Sequence, residues 1–300
     1  MMTTATFKEL LLDGTKKSII LDTDTFNEID DQFAMAYAML SPDKVKLLAV
    51  TAAPFSNSRA QTPAYGVEQS YNEALRIRNF IDKNATVPVY MGSKAYLPSK
   101  TQAVPSEAAD AIVRLVRESE ETVFIVAIGA ITNVASAILQ APDIVEKCAV
   151  IWLGGHALHH ADNHEFNLYQ DVPAAQVVFD SGIPLLQIPC VGVCTEFLTT
   201  MPELKHYLAG KNELCDYLLQ ATDTYLNRPG KKIYSKVIWD VTAVAAITRP
   251  DTLDMVEIPR PIVTDNELYA FDMARPSYLY VRRIKRDALY LDLFDKLANK

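Results

Sequence analysis

Asp22 and Asp24 lie two residues apart at the end of an apolar stretch in ILDTDTFNEIDDQFAMAYAML, residues 20–40. On an extended strand, residues i and i+2 point to the same face. Both carboxylates would therefore leave the strand on one side. Glu28, Asp30 and Asp31 follow closely, the last two where an amphipathic helix would begin. Acids are favoured at a helix start as caps and by the helix dipole. That explains Asp30 and in part Asp31, but not Asp22 and Asp24. Carboxylates crowded into a partly dry site repel one another unless protons or a cation compensate. An all-oxygen donor set suits a hard divalent cation, calcium or magnesium.

A second concentration of reactive groups is GGHALHHADNHEFN, residues 154–167, with His156, His159, His160 and His164. A transition-metal site would want these imidazoles on a regular element with further ligands. Gly154 and Gly155 make helical spacing doubtful, and no cysteine is near in sequence. The stretch reads instead as an active-site loop. The sequence has no G-x-S-x-G elbow for a serine hydrolase, and its 10 glycines form no phosphate-cradling loop.

Composition narrows the partners. The formal net charge is −8, so no surplus of cations is available to displace counterions from a nucleic acid. An uncharged small molecule remains compatible. The 4 cysteines form no C-x-x-C pair, which predicts reduced thiols. No signal peptide or membrane-length apolar run is recognised. The expected location is cytoplasmic.

The elements that must position these groups alternate. Of the 300 residues, 49% are hydrophobic and 22% charged, enough for a sizeable core. Short β-branched runs predict strands at 18–21, 45–51, 87–91, 123–128, 148–153 and 185–189. Amphipathic stretches predict helices at 30–40, 64–81, 106–118, 132–140 and 173–180. Residues 202–247 read as mostly helical, 278–284 as a strand and 287–297 as a closing helix. This pattern predicts an α/β fold, a Rossmann-like and mainly parallel sheet flanked by helices. Residues 1–300 are read as a single domain with additional C-terminal helices and strands. Ligands of such sheets bind at the carboxyl ends of the strands, which is where the acid cluster stands.

With those residues placed, the segment from Asp22 to Asp31 resembles the D-x-D-P-G-x-D-D signature of nucleoside hydrolases. Here the loop is two residues longer and lacks Pro-Gly. Three further segments follow in the family's order. VFIVAIGAITNVASAI, residues 123–138, resembles the strand–Gly–Thr-Asn–helix element whose backbone carbonyl binds the metal. EFNLYQDVPAA, residues 165–175, resembles E-F-N-x-x-x-D-P-x-A-A. VIWDVTAVAAI, residues 237–247, resembles the late H-D-P-x-A-V-A, with tryptophan in place of histidine.

The resemblance implies hydrolysis of the N-glycosidic bond of a ribonucleoside by a calcium-activated water. It implies Asp24 as the general base and as a metal ligand, with Asp31, Asp240 and the carbonyl of Ile128 completing the protein ligands. Asp30, Asn57, Glu165 and Asn167 would contact the sugar, with Asn27 a second candidate for the asparagine's task. Trp239 would stack on the base, as in the purine-preferring subgroup. Taken alone, Asp240 reads as a helix cap, Asn57 as a turn residue and Trp239 as packing. No histidine occupies the late motif, so the leaving-group acid is unassigned. Hydrolysis of another N-riboside, such as nicotinamide riboside, and a non-catalytic nucleoside sensor remain alternatives. The resemblance further implies a homodimer or homotetramer.

Overall fold

The structure, a computed structural model, describes residues 2–227 and 235–300. Its strands are β1 Lys17–Thr23, β2 Val45–Ala52, β3 Val89–Tyr90, β4 Val123–Ala127, β5 Cys148–Leu153, β6 Leu185–Ile188, β7 Leu198–Thr200, β8 Ser235–Val237, β9 Leu253–Pro259, β10 Ile262–Val263, β11 Tyr269–Ala270 and β12 Ser277–Ile284. The helices are α1 Thr4–Leu12, α2 Asp30–Met39, α3 Pro63–Ile81, α4 Glu107–Glu118, α5 Thr132–Gln140, α6 Phe166–Gln170, α7 Val172–Asp180, α8 Met201–Leu208, α9 Glu213–Leu226, α10 Val241–Thr248 and α11 Arg286–Ala298.

An eight-stranded sheet runs in the order β3-β2-β1-β4-β5-β6-β12-β9. All its pairings are parallel except β12 with β9. Strands β1, β4 and β5 are buried along their whole length. Their side chains alternate between two apolar layers. Ile19, Leu21, Phe124 and Val126 face the layer of α2, α10 and α11. Ile20, Ile125 and Ala127 face the layer of α5 and α7. Strands covered on both faces lose the polar alternation of a half-exposed sheet, which is why they read as continuous apolar runs.

The mainly parallel sheet and its flanking helices are as the sequence predicts. The strand expected at 87–91 shortens to Val89–Tyr90. Pro88 precedes it, has no N–H to donate, and only accepts from the Val50 amide at 3.0 Å. The region 202–247, expected to be mostly helical, also contains β8, paired antiparallel to β7. Helix α1 was not foreseen. Thr3 caps it, accepting from the Thr6 amide, and Phe7 and Leu11, one turn apart, are buried.

Chain order reverses direction across the sheet between β1 and β4. At such a switch point the loops after the two strands diverge and leave a crevice. Asp24 follows β1 and Ile128 follows β4, so both flank that crevice.

Candidate active site

A cavity of about 280 Å³ opens there, and it is lined by Asp24, Asn27, Glu28, Asp30, Asp31, Asn57, Ile128, Leu153, His156, His164, Glu165, Phe166, Asn167, Cys190, Val191, Tyr225, Trp239 and Asp240. The residues that the family resemblance assigns to the metal, the sugar and the base therefore all border one space.

The acids converge because three elements end together. Asp24 leaves β1, Asp30 and Asp31 open α2, and Asp240 opens α10. The capping explanations for two of them do not hold. Helix α2 starts after Ile29 without a side-chain cap, and Asp240 stands at the cap position of α10 but makes no capping hydrogen bond. Asp30 Oδ2 instead accepts from the Trp239 amide at 3.1 Å, and Asp31 Oδ1 accepts from Thr23 Oγ1 at 2.6 Å. Oxygens of Asp30, Asp31 and Asp240 lie within 4.8 Å of one another, and all three residues are buried. Asp24 joins them through a side-chain contact with Asp31.

The electrostatic strain is large. Two ionised carboxylates about 4.8 Å apart repel by about 3–4 kcal/mol at an effective dielectric of 20. Burial, followed by the Asp31 charge, pushes the Asp24 carboxyl well above the ordinary range. Burial and then the charges of Asp30, Asp31 and Asp24 do the same to Asp240. Asp24 Oδ2 is buried and has no hydrogen-bond partner among the described residues. Converging oxygens, one of them orphaned, are what a hard divalent cation would satisfy, so these residues fit such an ion.

Asp22 takes a different part. Its Oδ1 accepts from Thr51 Oγ1 at 2.7 Å and from Asn133 Nδ2 at 2.8 Å, and it does not line the cavity. Burial raises its carboxyl to about 6, against the pull of those two donors. Asn133 Nδ2 also donates to Ala52 O at 2.9 Å. Asp22 thus braces the ends of β1 and β2 rather than serving the cavity.

Opposite the acids stands the start of α6. Glu165 caps this helix, accepting from the amides of Asn167 and Leu168, and it also accepts from Gly155 at 2.8 Å. Asn167 Nδ2 donates to Leu153 O at 2.9 Å and to Ile128 O at 3.3 Å. The Ile128 carbonyl and the Asn167 amide therefore meet at the cavity wall. Asn57 behaves as a turn residue: its Oδ1 accepts from the amides of Arg59 and Ala60. Its Nδ2 donates to Asn27 Oδ1 at 2.8 Å, which ties the two candidate asparagines together.

His156 and His164 reach the cavity, whereas His159 and His160 do not line it. His164 stacks on Tyr169 at 4.3 Å and pairs with Glu267 at 2.5 Å. His156 Nδ1 is buried without a hydrogen-bond partner among the described residues, and burial lowers its pKa. Among the described residues, the group of acids is the sole cluster able to hold a metal ion. The histidine segment lies in the loop between β5 and α6.

The model of inosine-uridine preferring nucleoside hydrolases matches residues 19–283. The chain belongs to that family. The match spans all four sequence segments and both layers of the fold. A protein of Schizosaccharomyces pombe is 29% identical over 198 residues, covering 57% of this chain and 60% of that one. The pyrimidine-specific ribonucleoside hydrolase RihA of Escherichia coli O1:K1 / APEC is 26% identical over 298 residues, covering 90% of this chain and 91% of that one. The solved structure of a purine-preferring ribonucleoside hydrolase from Gardnerella vaginalis shares the fold with a TM-score of 0.79 at 21% identity, covering 94% of this chain and 98% of that one.

One cavity-lining group, Tyr225, and one buried lysine beside the acids, Lys236, escaped the sequence reading. Tyr225, near the end of α9, lines the cavity and donates to Glu28. Lys236, on β8, is buried against Glu28 and Asp30. In this nucleoside hydrolase the only sequence signal for Lys236 is a lysine among apolar residues four positions before Asp240. An exposed strand edge carries the same signal.

Proposed function

We propose that the cavity hydrolyses the N-glycosidic bond of ribonucleosides, releasing ribose and free base. The observation that carries this reading is the buried oxygen of Asp24, unpartnered among converging carboxylates, in a cavity shared with Asn167 and Glu165. Asp24 takes the proton of the attacking water. Asp24, Asp31 and Asp240 with the Ile128 carbonyl would hold a calcium ion. When bound, that ion supplies fixed positive charge that favours loss of the water's proton and offsets the acid repulsion.

Asp30, Asn57, Glu165 and Asn167 orient the sugar. Such contacts aid the reaction to the extent that they tighten as the ring flattens toward a ribosyl cation. Trp239 is half-buried and lines the same cavity, which supports stacking on the base and a purine preference. The cytoplasmic location is part of this reading and is supported by four free, buried cysteines. So is a homodimer or homotetramer, supported by the exposed Leu268, Phe271 and Met273, apolar surface that an oligomer would cover.

The test is product analysis on purine and pyrimidine nucleosides and nicotinamide riboside, with and without chelator. Ribose should appear with purine nucleosides and disappear with chelator, and elemental analysis should find calcium. Ribose from nicotinamide riboside alone would move the substrate. Binding without ribose release from any compound would make the chain a sensor.

A further inference from the structure

Lys236 is 7% exposed and stands within reach of two carboxylates. Its Nζ donates to Glu28 Oε2 at 2.5 Å and to Val237 O at 2.8 Å. It lies 3.1 Å from Asp30 Oδ1, an ion-pair contact rather than an aligned hydrogen bond. The rings of Tyr225 and Trp239 flank it at 5.7 and 5.9 Å. Glu28 sits in the loop between Asp24 and Asp30, which is two residues longer than the family signature, and its other carboxylate oxygen accepts from Tyr225.

This arrangement divides the acids. Asp30 is one of three carboxylates close enough together to hold an ion, yet among the described residues it is the one of the three with an ammonium within ion-pair distance. A cation bound at Asp30 would have to share that carboxylate with Lys236, and like charges at such separation repel. Among the described residues, by contrast, no lysine or arginine forms an ion pair with Asp24, Asp31 or Asp240. The Trp239 amide on Asp30 Oδ2 and the lysine at Oδ1 also fix the direction in which the Asp30 carboxylate faces.

We propose that Lys236, held by Glu28, is a positioning residue that reserves Asp30 for the sugar and leaves the divalent ion to Asp24, Asp31 and Asp240. The proposal rests on the nucleoside hydrolase reading of the cavity. It adds a physical cause for the division of labour among the acids: a buried lysine on β8 held by Glu28 of the enlarged loop. Lys236 is not among the residues that line the cavity and acts through Asp30.

Two measurements test it. The first is a double-mutant cycle on KM for a purine nucleoside with Lys236→Met, Asp30→Asn and the pair. Lys236→Met should raise KM about tenfold, the scale of one charged hydrogen bond, and lower kcat less. The double variant should be no worse than Asp30→Asn, and Lys236→Arg should recover part of the loss. Glu28→Gln should move KM in the same direction by less, and serves if Lys236→Met fails to fold. Additive losses, or an unchanged KM in a folded Lys236→Met protein, would overturn the proposal. The second is calorimetric titration of metal-free protein with calcium alone. Lys236→Met should bind at least as tightly as the wild type, because a nearby positive charge has gone. Weaker calcium binding by folded Lys236→Met would show that the lysine supports the ion site and would also overturn it. This arm needs no turnover, so it decides the proposal even if the wild-type chain cleaves no nucleoside and the functional reading fails by itself.

Discussion

The α-carbon of Gly129 faces the carboxylate of Asp24 so closely that a methyl group there would stand 3.2 Å from Asp24 Cγ and 3.0 Å from the Ala53 side chain. Gly129 follows Ile128 after β4, across the crevice from β1. Only hydrogen at that position leaves Asp24 its place. Gly129→Ala should shift Asp24 by a few tenths of an ångström. Misplacement of a reacting group is costly to rate, so kcat should fall about tenfold or more with KM changed little. Steady-state kinetics check this. A normal kcat would show that Asp24 tolerates displacement and weaken its assignment as the base.

Asp24 carries the largest share of the proposed chemistry. Asp24→Asn keeps the shape and removes both the base and one charge from the acid cluster. Turnover should fall to near background, because proton abstraction and ion binding are lost together. Metal-free Asp24→Asn should nonetheless melt above the metal-free wild type, since a repelling buried charge has gone. Added calcium should stabilise the variant less than the wild type. Calorimetry with and without calcium reads both effects. Near-normal turnover in a folded variant would rule out the mechanism.

The cysteines give a prediction in pH. Burial pushes the thiols of Cys148 and Cys194 up to about 12 and that of Cys215 up to about 11. Cys190 is raised well above its ordinary value, first by burial and then by the Glu165 charge. A raised thiol pKa means less thiolate at a given pH, and the thiolate is the reactive form. The native protein at about pH 8 should therefore resist a thiol-specific chromogenic reagent, while all 4 thiols react in denaturant. Reactivity of the native protein should rise only as pH climbs toward the thiol pKa values. Rapid labelling of Cys190, which borders the cavity, would contradict its protonated, sequestered state.

The sheet was readable because β1, β4 and β5 are buried on both faces and show as unbroken apolar runs. The site was readable because its ligands stand directly after those strands or at the start of a helix, where sequence neighbours are also spatial neighbours. Three features were not. The i, i+2 spacing of Asp22 and Asp24 suggested one shared task, but Thr51 and Asn133, both distant in sequence, engage Asp22 as a brace. Asn57 could be placed at the cavity, yet its turn bonds to Arg59 and Ala60 depend on local backbone geometry. Lys236 pairs with acids more than 200 residues earlier, at separations of 208 and 206 positions from Glu28 and Asp30. No local pattern encodes a pairing that the fold alone creates.

Trp239 offers a test of how the base departs. The residue is half-buried, with part of its ring surface against the apolar core and part on the cavity. Its backbone amide, which donates to Asp30, survives any side-chain substitution. Trp239→Ala therefore removes the ring and keeps the Asp30 contact. If the ring stacks on the base, activity on purine nucleosides should fall far more than activity on p-nitrophenyl riboside. A reactive leaving group needs neither stacking nor protonation, whereas a purine benefits from both. Stacking contributes about 1–3 kcal/mol per base, or roughly one to two orders of magnitude in rate when expressed in the transition state. Trp239→Phe should retain part of it. Equal losses on both substrates, together with a lowered melting temperature, would assign Trp239 to packing and remove its support for a purine preference.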